Sequence, residues 1–222
     1  GGDGTRPVPG WDGDHEWIGW IPDDALPAEV DPDRGWIATA NNDVGSAGSP
    51  HLISRDFHAS NRVDRIAELL EVRDRHDTSS FVTIQTDTVS LAARSLVPAL
   101  VELEPRDERE RDALKQLADW DGDLAADSRP AAIFQAWVTA LMRRLVGARL
   151  DEETFAAYQG FRETFLTHAV PHLLANGADR LDPAAVLDAL DDALEEAGDR
   201  TWGELHTLVL AHPLARIPGL DT

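Results

Sequence analysis

Apolar residues change their spacing once along this chain, and the change divides it. Up to about residue 50 they fall in short dense runs. Beyond it they recur at the spacing of a helix, about 3.6 residues. Glu16 to Ile21 reads as a short strand, with Trp17, Ile18, Trp20 and Ile21 leaving neither face suited to water. Pro22 ends it. Gly35-Trp36-Ile37-Ala38-Thr39-Ala40 reads as a second strand, because Trp36, Ile37 and Thr39 favour pleated chain. Two strands alone are marginal in water, so the pattern calls for more strands from a larger sheet.

Asp43 to Pro50 is a Gly/Ser loop, and helical spacing follows it. In Asn61 to Arg75, Val63, Ile66, Leu69 and Leu70 share one face. Thr78-Ser79-Ser80 can cap a second helix. Phe81, Ile84, Thr88, Leu91 and Ser95 keep its spacing as far as Leu96, although Phe81-Val82-Thr83-Ile84 is strand-like by propensity. Asp107 to Trp120 makes a third, with acids in its first turn to suit the dipole. Ser128 and Pro130 open the most apolar helix, with Ile133, Trp137, Leu141 and Leu145 as its stripe. Asp151 to Tyr158 and Phe161 to Leu174 read as two more. Asp182-Pro183 starts the last long one, and Gly198 stops it. Its acidic run from Asp188 to Glu196 reads as a solvated face. Trp202 to Leu210 suits a short helix or a return to the sheet, ended by His212-Pro213. The expected chain is mainly α, with a helical insertion over 56–200 between 1–55 and 201–222.

The 222 residues suffice for one large domain or two small ones. The formal net charge of -21 argues against nucleic acid or an anionic membrane as partner, since both need a basic face. No stretch is long and apolar enough to span a bilayer. The chain has no cysteine, which excludes disulfides, thiolate nucleophiles and Cys-ligated zinc. Lys115 is the only lysine among many arginines. An Asp-rich, Lys-poor surface suits concentrated salt. A GC-rich genome yields the same bias, so a halophilic source is one of two readings.

Candidate chemistry begins at Asn41-Asn42, where two side-chain amides follow a strand end, a common place for functional groups. The plain alternative is a turn start. Other pieces of text surround the pair. They are Pro7-Val8-Pro9-Gly10, Trp17-Ile18-Gly19-Trp20-Ile21-Pro22, the run Gly35 to Asn42, Arg62-Val63-Asp64-Arg65-Ile66-Ala67-Glu68-Leu69-Leu70, and Trp202-Gly203-Glu204-Leu205-His206. In this order and spacing they resemble the middle of the large chain of the penicillin acylase (penicillin amidase) family of N-terminal nucleophile hydrolases.

The resemblance implies a fold and a reaction. Residues 1–55 would belong to an incomplete αββα sandwich, 56–200 to a helical domain, and 201–222 to a return toward the core. The reaction implied is hydrolysis of linear N-acyl amides, of the penicillin or acyl-homoserine lactone acylase type and so within antibiotic metabolism. It runs through an acyl-enzyme on an N-terminal serine. Gly1 has no side chain to attack with, so the nucleophile is expected outside this chain, and the segment alone should be inactive. Asn41 would donate to the oxyanion, a task a neutral amide performs at less desolvation cost than a charge. Arg62 would organise the site through its fixed fork of donors, with Arg65 as a close competitor; the plain alternative is a helix-surface arginine. The expected partners are the remainder of the large chain, a small chain of the same precursor and an N-acyl small-molecule substrate. The resemblance also implies export to the periplasm or beyond.

A structural calcium is a further implication for the complete enzyme. Here His51 stands about where a carboxylate would be wanted, and a hard cation prefers oxygen, so no ligand is assigned. Two other function classes fit parts of the chain. A non-catalytic helical binding module fits its composition. His58 and His76-Asp77 faintly resemble metal-dependent phosphohydrolases, without the further ligands such a site needs. Trp202, His206 and His212 read as packing and turn residues.

Overall fold

A computed structural model describes residues 6–55, 57–157 and 182–208. The chain forms two compact units, Gly1–Leu91 and Ala92–Thr222. Among the described residues it is mainly helical. The expected helices at Phe161 to Leu174 and beyond Leu208, with His212-Pro213, lie outside the described residues.

The first unit corrects two expectations. Glu16 to Ile21 and Gly35 to Thr39 are not strands, and neither has a ladder partner among the described residues. Propensity makes a chain extended; only a neighbour's backbone makes it a strand. Trp17, Ile18 and Trp20 are 82%, 96% and 86% exposed. Short 3-10 turns at Asp23–Ala25 and Ser46–Gly48 punctuate the segment. Helix α1 spans Asn61–Glu71, and α2 spans Thr78–Gln85. The single helix expected to run to Leu96 is instead two. Asp77 caps α2 by accepting from Ser80 N–H, and Ser80 returns the bond in a capping box. Thr86 closes α2. Asp87 then turns its carboxylate to Arg65 of α1 in a two-pronged bond at 2.9 and 2.7 Å. The next helix, α3, begins only at Leu91.

In the second unit α3 spans Leu91–Val101, α4 Glu108–Ala118, α5 Arg129–Gly147, α6 Pro183–Ala197 and α7 Trp202–Leu205. Residues 152–157 are also helical. The long α5 begins where expected, with Ser128 accepting from Ala131 N–H and proline in the first turn. It packs most extensively along α6. Ile133, Leu141, Met142 and Leu190 are completely buried in the core. Phe134 sits between Trp120 and Trp137, with ring centroids 5.5 and 5.9 Å away. Gly203 is required by a close approach. A Cβ there would meet the Ala126 carbonyl at 2.9 Å, and the Gly203 N–H donates to that same oxygen. Trp202 stacks on His206 at 4.5 Å, consistent with packing roles for both.

The acidic face of α6 is not merely solvated. Arg106 donates to Asp188 at 2.6 Å and Asp191 at 2.7 Å, while Arg144 donates to Asp192 at 2.8 Å. Arg106 also binds the fully buried Glu110 through its Nε at 2.7 Å. The Arg106 bond holds the Asp188 carboxyl below its ordinary range, whereas burial raises that of Asp191.

Candidate functional site

The site is built by a turn in the first unit. Ala40, just before the turn, is buried. The next residue, Asn41, has a φ of 65°, in the left-handed region that asparagine tolerates better than most side chains. Its backbone carbonyl accepts from His58 N–H at 2.8 Å. Its exposed side chain meets α1: Arg62 Nη1 donates to Asn41 Oδ1 at 3.2 Å.

That contact orients the amide. A guanidinium has donors and no acceptor, so Asn41 must turn its oxygen toward Arg62. The NH2 end then faces away as the donor. Asn42 behaves differently. Its Oδ1 accepts from Ala40 N–H at 3.0 Å, and its Nδ2 donates to the Asp43 carbonyl at 2.9 Å. Its amide thus straps the chain on both sides of Asn41. Both bonds are local and go to backbone. The signal for them in sequence is the turn preference of Asn, the plain alternative for the Asn41-Asn42 pair.

Arg62 and Arg65 separate cleanly. Arg62 is exposed and reaches Asn41. Arg65 is held by Asp87 and by Glu68 at 2.8 Å, and these bonds raise its already high pKa further. It joins α1 to the chain after α2 and is committed to that task.

The other candidates are dispersed. His51 is exposed, and its N–H donates to Ser49 Oγ at 3.1 Å. Asp43 Oδ1 accepts from Gly45 N–H at 3.0 Å within the same loop. An imidazole and one exposed carboxylate do not make up the oxygen shell of calcium, and no step is assigned to that ion. His76 donates through Nε2 to the Leu70 carbonyl at 2.9 Å and lies 3.1 Å from Ser80 Oγ. Asp77 is the α2 cap, and the Ser80 N–H and Ser79 hydroxyl lower its pKa. Both residues of that pair thus shape the α1–α2 connection. Among the described residues no group of three or more His, Asp or Glu side chains could hold a metal ion. No described helix is long and apolar enough to cross a membrane.

Comparison with known proteins places this geometry in context. The penicillin amidase family model matches residues 1–221. Penicillin acylase 2 proenzyme of Pseudomonas sp. (strain SE83) is 35% identical over 96% of this chain and 29% of its own length. Acyl-homoserine lactone acylase QuiP of Pseudomonas aeruginosa is 29% identical over 93% of this chain and 29% of its own. Penicillin G acylase of Escherichia coli is 32% identical over 67% of this chain and 19% of its own. The chain thus spans about three tenths or less of these curated relatives.

Proposed function

The chain belongs to the penicillin amidase family, and from that premise we propose that it is part of an amidohydrolase acting on linear N-acyl amides. The observation that carries the reading is the Arg62–Asn41 bond, which fixes a neutral amide with its NH2 end turned outward. Such a donor is what a carbonyl needs when it becomes an oxyanion.

The steps follow from that role. An N-terminal serine, supplied by sequence outside these residues, adds its Oγ to the amide carbon, and its own free α-amine takes the hydroxyl proton and later hands it to the leaving amine. The carbonyl oxygen takes the electron pair and accepts a hydrogen bond from Asn41 Nδ2. The intermediate collapses, the C–N bond breaks, and the amine leaves with a proton. Water then hydrolyses the acyl-serine ester and releases the acid. Asn41 serves both tetrahedral intermediates. Arg62 keeps its amide from rotating. The αββα sandwich would hold residues 1–55, and the exposed Trp17, Ile18 and Trp20 would pack within it against the rest of the large chain and the small chain. Export to the periplasm or beyond accompanies this assignment.

The substrate class spans penicillins and acyl-homoserine lactones, the compounds named in the relatives. The test is rapid mixing of the complete enzyme with an N-phenylacetyl amide carrying a chromogenic amine, and with an acyl-homoserine lactone. The expected result on at least one is cleavage, with part of the acyl group diverted to the hydroxamate when hydroxylamine competes with water for the acyl-enzyme. Absence of cleavage of both would overturn the reading and favour a non-catalytic helical binding module.

A further inference from the structure

We infer that Asn42 is a positioning residue for Asn41, acting through the backbone rather than on substrate. The inference rests on the oxyanion role proposed for Asn41.

The physical case begins with the strain of the turn. Asn41 occupies the left-handed region at a φ of 65°, a conformation that costs energy for any residue with a side chain. Something must hold it there. Two groups bear directly on the turn's backbone. His58 N–H fixes the Asn41 carbonyl at 2.8 Å. The half-buried Asn42 amide spans the turn from Ala40 N–H at 3.0 Å to the Asp43 carbonyl at 2.9 Å. Ala40, at 6% exposure, anchors one end of that strap in packed surroundings. The Asn42 side chain therefore uses its one acceptor and its NH2 group on backbone flanking Asn41. An amide is the side chain that offers both functions at this reach, which a carboxylate or a hydroxyl divides differently.

The consequence is a division of labour within the pair. Arg62 sets the rotation of the Asn41 amide; Asn42 sets where the Cα beneath it stands. An oxyanion donor works only within a few tenths of an ångström of its place. Loosening the turn should lower turnover and leave the binding of substrate largely unchanged, because the interaction lost is made in the transition state.

The experiment is a double-mutant cycle in the complete, processed enzyme, with rates taken per mole of titrated active serine. Asn42→Ala is expected to lower kcat about 10- to 100-fold, the scale of a misplaced catalytic group, with KM changed less than about 2-fold. Asn41→Ala is expected to lower kcat at least as much. The double variant should be no slower than Asn41→Ala alone, since Asn42 acts only through Asn41. Multiplying effects would overturn the inference, because a general structural defect is indifferent to residue 41. So would wild-type kcat in Asn42→Ala. If Asn42→Ala does not mature, Asn42→Asp replaces it in the cycle: it keeps the acceptor for Ala40 N–H and loses the donor to Asp43, and the same non-additivity is required. Full activity in Asn41→Ala is a separate outcome. It removes the oxyanion reading itself and the inference with it, whereas a slow Asn41→Ala beside a normal Asn42→Ala removes only the inference.

Discussion

Arginine can only donate hydrogen bonds, and at residue scale that restriction orients the candidate site. It fixes which end of the Asn41 amide faces Arg62 at 3.2 Å and so which end is free to serve a carbonyl. Removing the guanidinium should let the amide rotate. Arg62→Ala in the complete enzyme is expected to lower kcat about 10-fold by misplacing a catalytic donor. Its Tm should stay close to wild type, since Arg62 is exposed. Unchanged kcat would show that the amide needs no such partner. Asn41 and Arg62 were legible in sequence only through family resemblance. Their meeting spans 21 positions of chain, which no local propensity encodes. The choice between Arg62 and Arg65 was equally hidden. It depends on Asp87, whose carboxylate claims Arg65 from beyond a second helix.

At the scale of elements, helices with strong local signals matched their expected places. Ser128 and Pro130 open α5, and Asp182, Pro183 and Gly198 bound α6. Caps and periodicity are written in adjacent residues, so the sequence shows them directly. The break between α2 and α3 was missed because the apolar spacing continues through it. At the break, Asp87 is bound by Arg65, a contact between distant residues. The strand expectations failed for the same kind of reason, since a ladder needs a second chain segment. The α5–α6 pairing carries the second unit. Leu141 has no exposure at its centre, so Leu141→Ala leaves a cavity. It should cost about 2–5 kcal/mol of stability, read as a lower urea midpoint with an unchanged m-value. A cost under about 0.5 kcal/mol would be that of an ordinary surface site and would contradict the packing described.

For the whole molecule, charge and length dominate. A net charge of -21 is carried on a chain with one lysine. The structure shows how the arginines are used: Arg106 and Arg144 knit the acidic face of α6. Salt screens the remaining repulsion and, less strongly, such half-exposed pairs. The halophile reading therefore predicts a higher Tm in molar KCl than at low salt. No stabilisation across that range would leave genome composition as the source of the bias. The exposure of Trp17, Ile18 and Trp20 and the fraction of each relative that is matched both accord with a chain that works inside a larger protein. Whether that protein is an amidase of the kind proposed turns on one residue. The decisive measurement is kcat of Asn41→Ala against wild type in the complete enzyme, on an N-acyl amide at saturating concentration. Loss of the oxyanion donor predicts a fall of about 100- to 1000-fold, with the acyl-serine still forming slowly. Turnover within about 2-fold of wild type, too small a change for a lost oxyanion donor, would contradict the account.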